Sequence, residues 1–303
     1  MAPEPTVAAE VRAGRLVADA AAVLRTAEIP SPRLDAELLV GHAFGRDRAW
    51  LHAHPDAELG MAEASLLAGW VERRAAGEPV AYIRGFKEWL SLRILTDRRA
   101  LIPRPETELL AEAAIGEIAE RLVRDTTPVT AWEVGTGSGA VALAITLRFR
   151  TAMALERLRL AASDLSSEAL ELAAENLAAH GASGAVTLAC GDLLEPAAVP
   201  GRVDLIVASL PYLTSAEVET GAGSLGWEPH RALDGGPDGL ALLRRLVPAL
   251  PGALSATGVA LLEVGQGQAA AVSGMAGSLP VETLVSALLD LAGIERVVRI
   301  ALV

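Results

Sequence analysis

Apolar residues recur at helical spacing along the opening part of the chain. Val11, Leu16, Val17, Ala20, Val23 and Leu24 fall on one helix face. Ser31-Pro32 predicts an N-cap followed by proline at the first helical position, with Asp35 and Glu37 near the positive end of the dipole. Leu34, Leu38, Leu39 and Val40 supply the buried stripe of that second helix. A third helix is expected over Ala62 to Ala76, around Leu66, Leu67, Trp70 and Val71, stopping at Gly77. Residues 1–77 therefore read as a small helical N-terminal domain, assigned to substrate recognition. Residues 78–104 change character. Val80-Ala81-Tyr82-Ile83 and Leu90 to Leu95 have β-type composition with Gly85 between them, which predicts a short hairpin or linker. Glu106 to Glu120 then reads as a helix.

From about residue 128 apolar strands and helices alternate. Thr130 to Val134 leads into glycines and the helical run Ala140 to Arg148. Leu158 to Ala162 ends in Asp164, and Ser166 opens a helix over Ser167 to His180. Val186 to Ala189 ends in Gly191-Asp192, and Val203 to Ala208 ends in Ser209. Val259 to Val264 is a further strand, and the tail carries Val281 to Leu284 and Val297 to Val303 around a helix. Such alternation implies an α/β fold with a doubly wound, mostly parallel sheet over residues 105–303. In these sheets ligands sit beyond the carboxyl ends of the strands, where every motif discussed below falls.

Composition narrows the function. At 303 residues and 51% apolar content the chain can fill a proper core. The formal net charge of −12, with no basic run, argues against a nucleic-acid partner, since such binding relies on Lys and Arg at phosphates. The single cysteine, Cys190, fits a reducing cytosolic setting and reads as a packed strand residue. Met1-Ala2-Pro3-Glu4-Pro5 lacks the pattern of a secretion signal, and no apolar stretch reaches the ~18 residues of a membrane span. A cytoplasmic protein with no membrane partner is expected.

The chemistry concentrates at three strand ends. Gly135-Thr136-Gly137-Ser138-Gly139 stands between an apolar strand and an apolar helix, where glycines allow a tight turn and close approach to a ligand. Its spacing differs from the dinucleotide G-x-G-x-x-G, and Asp164 follows at a longer interval than the ~20 residues usual for NAD. An NAD oxidoreductase is thus disfavoured, and the absence of a Lys-Ser/Thr ending disfavours an NTPase. Asp164 at the end of the second strand suits both hydroxyls of a ribose, the alternative being a helix cap. Asp192 sits where an acid reads an adenine amino group and Leu193 where a side chain covers the ring; the alternative for Asp192 is a turn aspartate. No metal site is expected.

These motifs resemble those of class I methyltransferases. Further segments resemble the release-factor glutamine N5-methyltransferases in particular: Gly77-Glu78-Pro79-Val80-Ala81-Tyr82-Ile83 with Gly85-Phe86, Leu101-Ile102-Pro103-Arg104-Pro105-Glu106-Thr107-Glu108, Glu228-Pro229, Asp238-Gly239-Leu240 and Asp290-Leu291-Ala292-Gly293. The resemblance implies a Rossmann-like seven-stranded sheet and S-adenosylmethionine as cofactor, held by Gly135, Thr136, Gly137, Ser138, Gly139, Asp164, Asp192, Leu193 and Ser209. It also implies that Ser209-Leu210-Pro211-Tyr212 is the catalytic acceptor motif, with Tyr212 walling the acceptor. The family writes Asn-Pro-Pro-Tyr there, and its asparagine is expected to bind the glutamine amide through both a donor and an acceptor.

Serine cannot present that two-pronged match. Losing a partner to a buried polar substrate costs about 1–3 kcal/mol, roughly 5- to 150-fold. The departure points toward another acceptor, because a guanidinium carries donors only and wants carboxylates around it. The leading expectation is therefore a nitrogen methyltransferase acting on a small amino-acid substrate, with free L-arginine as the acceptor. Ser209, Tyr212, Glu217 and Glu228 are the candidate substrate residues, with Glu219 and Glu263 as further acids and His230 as a possible base. Methylation of release factors is the alternative, and a non-catalytic cofactor-binding protein a reading of another class.

Overall fold

The computed structural model describes residues 11–195, 201–221, 223 and 225–303. The reading of Met1 to Pro5 lies outside them. The chain divides into two compact units, residues 1–85 and 86–303.

The first unit is a helical bundle. Its helices are α1 (Ala13–Thr26), α2 (Pro32–Phe44), α3 (Arg48–Ala53), α4 (Met61–Ala75) and α5 (Val80–Arg84), with a short ribbon of β1 (Val11–Arg12) and β2 (Glu58–Leu59). Leu24, Leu39, Val40, Leu51, Leu67 and Val71 form its core. Pro32 opens α2 as expected, but the Ser31 side chain makes no capping bond, and Leu34 is exposed. Asp35 and Glu37 are buried instead: Asp35 pairs with Arg74 at 2.7 Å, and Glu37 takes Arg33 at 2.9 Å and Arg48 at 2.7 Å.

Val80 to Ile83, expected as β structure, is helical. The amides of Tyr82 and Ile83 donate to the Pro79 carbonyl, and Gly85 ends the turn at φ 75°. Both side chains are buried, and tertiary burial overrides their weak β preference. The hairpin lies just beyond, in the second unit, as β3 (Phe86–Trp89) and β4 (Leu92–Leu95). Leu90 and Ser91 form its turn at φ 46° and 60°, without the Asn-Gly or Gly-Gly signal such turns usually carry.

The second unit continues with α6 (Thr107–Arg124), β5 (Val129–Val134), α7 (Ala140–Arg148), α8 (Arg150–Ala154), β6 (Leu158–Asp164), α9 (Ser167–Ala179), β7 (Val186–Cys190) and β8 (Val203–Ala208). It closes with α10 (Ser215–Glu219), α11 (Ala241–Ala253), β9 (Leu254–Glu263), α12 (Ala269–Gly277), β10 (Thr283–Leu289) and β11 (Glu295–Leu302). Seven strands form one sheet in the order β10-β11-β9-β8-β5-β6-β7. The pairs among β5 to β9 are parallel, while β11 runs antiparallel to both β9 and β10. The helix expected between the last two strands precedes them as α12. A tight turn joins the strands, closed by the Asp290 carboxylate accepting from the amides of Ala292 and Ile294.

The central parallel strands β5, β8 and the second half of β9 bury both faces, as their near-continuous apolar runs require. One face packs Val129, Ala131, Leu205, Val207, Val259 and Leu261 under α6 and α7. The other packs Trp132, Val134, Ile206, Ala208, Ala260 and Leu262 under α11 and α12. Cys190, expected to pack, is exposed at the end of β7, the last strand of the sheet.

Candidate active site

Strand order reverses on either side of β5, which has β6 on one flank and β8 on the other. Open α/β sheets leave a crevice at such a switch point. A cleft of about 620 Å³ lies there, within the size range of small-molecule sites. Gly135 to Ser138 of the glycine loop, Asp164, Asp192, Leu193, Ser209, Leu210 and Pro211 line it, whereas Gly139 does not. Three motifs far apart in sequence thus meet in one place.

The glycine loop leaves β5 and enters α7. The amides of Gly135 and Thr136 both donate to the Ser163 carbonyl, at 2.8 and 2.9 Å. Gly139 is required by sterics and Gly135 by its positive φ. A Cβ on Gly139, at φ 78°, would lie 2.9 Å from the Ala173 Cβ on α9. A Cβ on Gly135, at φ 76°, would lie 2.9 Å from Leu210 Cδ2, so loop and acceptor motif touch.

Asp164 is tied to the loop. One carboxylate oxygen accepts from the Gly137 amide at 2.8 Å, the other from the Ser166 amide at 2.9 Å. Burial pushes its pKa up, against the pull of the Ser166, Gly137 and Leu165 amides and the nearby Arg231. Capping of α9 falls to Ser166, whose hydroxyl accepts from the Ala169 amide at 3.2 Å. Each Asp164 oxygen keeps a lone pair for a ligand hydroxyl. Asp192 is paired to Arg245 at 2.6 Å on the cleft rim.

Glu133, the residue that opens the glycine motif, received no role from its sequence position. It is fully buried, and burial pushes its pKa up to about 8. The Thr136 hydroxyl donates to it at 2.8 Å. An acid ending an otherwise apolar strand was the available signal. Arg98 and Arg231 also line the cleft, as do Arg104 and Thr107, which the sequence places in the Leu101 to Glu108 string without a site role.

The acceptor motif follows β8. Ser209, Leu210 and Pro211 reach the cleft, while Tyr212 is half-buried beside it. Burial pushes the Tyr212 phenol up to about 12, with Glu263 and Glu106 adding to the rise. The Tyr212 carbonyl accepts from the Gln268 side chain at 2.9 Å, and Gln268 in turn accepts from the Gly265 amide at 2.8 Å. This clip fixes the motif against the end of β9.

The expected substrate acids lie elsewhere. Glu217 is outside the cleft lining, and its carboxylate closes a capping box with Thr214 at the start of α10. Glu219 is an exposed residue of the same helix. Glu228 is buried, accepting from the Ile102 amide at 3.0 Å and from Arg104 at 2.7 Å, so it braces the Leu101 to Arg104 segment. His230 lines the cleft as an exposed residue.

Comparison with known proteins gives these features a context. A family profile described as the PrmC N-terminal domain matches residues 15–85. A release factor glutamine methyltransferase of Moorella thermoacetica is 38% identical over 269 residues, covering 88% of this chain and 90% of its own. Those of Bradyrhizobium diazoefficiens and Xylella fastidiosa strain Temecula1 are 38% and 40% identical, covering 92% and 83% of this chain and 91% and 86% of theirs. Among solved structures, the hMettl16 catalytic domain in complex with MAT2A 3'UTR hairpin 6 superposes with a TM-score of 0.51 at 12% identity, over 79% of this chain and 81% of that one. That last likeness is one of fold.

Proposed function

Because the chain belongs to the release factor glutamine methyltransferase family, we propose that it methylates the side-chain nitrogen of a glutamine in a peptide chain release factor. It is an S-adenosylmethionine-dependent N-methyltransferase. The observation that carries the acceptor is the extent of the match, which spans 88% of the chain and 90% of the first of these relatives.

Free arginine, the leading expectation from the serine in the acceptor motif, finds no support. A guanidinium would need open carboxylates beside it. Glu228 is engaged by Arg104, Glu217 lies outside the cleft, and burial favours the neutral form of Glu263. None of the acids expected to receive a guanidinium is thus available to it as an open carboxylate. The cytoplasm is the setting this reading implies, since release factors act in translation.

The cleft residues fit the cofactor. Asp164 retains lone pairs for two ribose hydroxyls, and Leu165 and Leu193 offer apolar surface for an adenine ring. A Cβ on Gly137 would meet nothing within 4 Å, so the loop backbone is open to close approach. Asp192 is assigned to the adenine amino group, which requires its exposed pairing with Arg245 to share the carboxylate. When bound, S-adenosylmethionine supplies a methyl group already activated on a cationic sulfur.

The protein's task is then alignment and electrostatics. Ser209 and the Leu210 backbone hold the acceptor amide beside the glycine loop, at the Leu210–Gly135 contact. Tyr212 walls the site and stays neutral, its phenol pushed up to about 12. A neutral phenol beside the acceptor suits a neutral amide.

Incubation with labelled S-adenosylmethionine, offering a release factor and free amino acids in parallel, tests the reading. Label on the release factor is expected. Label on free arginine alone would overturn it, and cofactor binding without transfer to any acceptor would favour a non-catalytic role.

A further inference from the structure

Glu263 is a buried acid at the end of β9. It is 1% exposed, and among the described residues its Oε2 has no hydrogen-bond partner. An ionised carboxylate in that position would carry a large desolvation cost, so the neutral acid is favoured. Its place in the sheet is specific. Ala208 on β8 stands opposite Leu262 on β9, so the next residues, Ser209 and Glu263, emerge side by side at the carboxyl edge. Side chains alternate along a strand, which puts both on the face of Val207 and Leu261, beneath α6. Thr107 opens α6 on that face, and the Glu263 carboxyl is raised first by burial, against the opposing pull of the Thr107 and Ser209 hydroxyls beside it.

We propose that Glu263 is a positioning residue for Ser209: its carboxyl proton is donated to the Ser209 oxygen, leaving the Ser209 hydrogen to reach the carbonyl oxygen of an acceptor amide. A hydroxyl has one hydrogen. Beside an ionised carboxylate it would spend that hydrogen on the carboxylate and turn only lone pairs to the cleft. Beside a neutral acid the direction reverses, and Ser209 becomes a donor. The pair thus regains the donor that the shorter serine side chain is poorly placed to supply alone. This inference rests on the glutamine reading above.

The surroundings support a neutral acid. Glu106 disfavours charge on Glu263, while Arg296 favours it but is shared with Asp290 at 3.0 Å and Glu106 at 3.9 Å. Tyr212, another titratable neighbour, is itself held neutral mainly by its own burial. The neutral form exists at low pH and is lost as pH rises, so Ser209 loses its donor role on the alkaline side.

The test is kcat/KM against pH for the full chain, using S-adenosylmethionine and a release factor. Wild type, Glu263→Gln, Glu263→Ala and Ser209→Ala are compared, with cofactor affinity from calorimetry as the folding control. Glutamine at 263 can donate to Ser209 at every pH, so Glu263→Gln should keep activity and lose an alkaline fall that wild type shows. Glu263→Ala should lose roughly tenfold, the size of one buried hydrogen bond. Ser209→Ala should be slower and lose the same alkaline limb, which gives a second reading if Glu263→Gln folds poorly. Glu133 also titrates near the cleft, so the difference between profiles, not the wild-type profile, is decisive. Identical alkaline limbs in all four proteins would overturn the role of Glu263 and leave the glutamine reading standing. No methylation of release factor by wild type at any pH would overturn both.

Discussion

The Asp164 carboxylate accepts the Gly137 amide proton at 2.8 Å, joining the end of β6 to the glycine loop that follows β5. That bond places the acid under the loop, in keeping with the ribose contact proposed for it. A helix cap needs no such contact, and Ser166 already caps α9. Asp164→Ala should therefore weaken S-adenosylmethionine binding by about 1.5–3 kcal/mol, the worth of hydrogen bonds to a charged group. Ser166→Ala should cost about 1 kcal/mol of stability and leave cofactor affinity near wild type. Calorimetric titration alongside thermal melts separates the two. Equal loss of affinity in both variants would return Asp164 to a structural role.

Glu133 makes stability depend on pH. Its pKa is about 8 in the folded chain, pushed up by burial, against about 4.3 for an unfolded glutamate. The folded state binds the extra proton between these values, so stability falls as pH rises from about 4.3 to about 8 and levels off beyond, at up to about 1.4 kcal/mol per pH unit. Glu133→Gln removes that term. Melts from acid to alkaline pH should show the variant near wild type at the acid end and more stable than wild type at the alkaline end. A constant difference across the range would contradict a buried neutral acid.

The sheet was legible in the sequence for a physical reason. Central parallel strands buried on both faces are continuous apolar runs, and β8, Val203–Ala208, begins and ends with such a run, while the apolar helix α7 matches its expected bounds of Ala140 to Arg148. Local chemistry was legible too: Ser166 caps α9 as its position suggests. What stayed hidden depends on partners distant in the chain or on burial. Val80 to Ile83 looks like a strand by composition and is helical because Tyr82 and Ile83 are buried. The Leu90-Ser91 turn lacks a glycine. At the site, the glycine loop and Asp164 were readable from their places at strand ends and Ser209 from the family resemblance, whereas the bracing of Glu228 was not, because Arg104 lies 124 residues away. The pairing of Ser209 with Glu263 emerges only from strand register.

Glu228 bears on that difference. Removing it would strand Arg104 and leave the Ile102 amide unpaired in a buried setting. Glu228→Ala should cost about 3–5 kcal/mol of stability, the usual result of breaking a buried pair from one side. Arg104 and Ile102 line the cofactor cleft, so cofactor affinity should fall with it. A contact with the acceptor would behave differently, raising KM for the acceptor while sparing both the melt and cofactor binding. Melting curves and calorimetry on this variant distinguish a brace from a substrate ligand.

The most direct test of acceptor identity is tandem mass spectrometry of a release factor after incubation with the purified chain and S-adenosylmethionine, with free arginine present as competitor. The account predicts one added methyl group on the side-chain nitrogen of a single glutamine, and unmodified arginine. Methylated arginine with an unmodified release factor would contradict it.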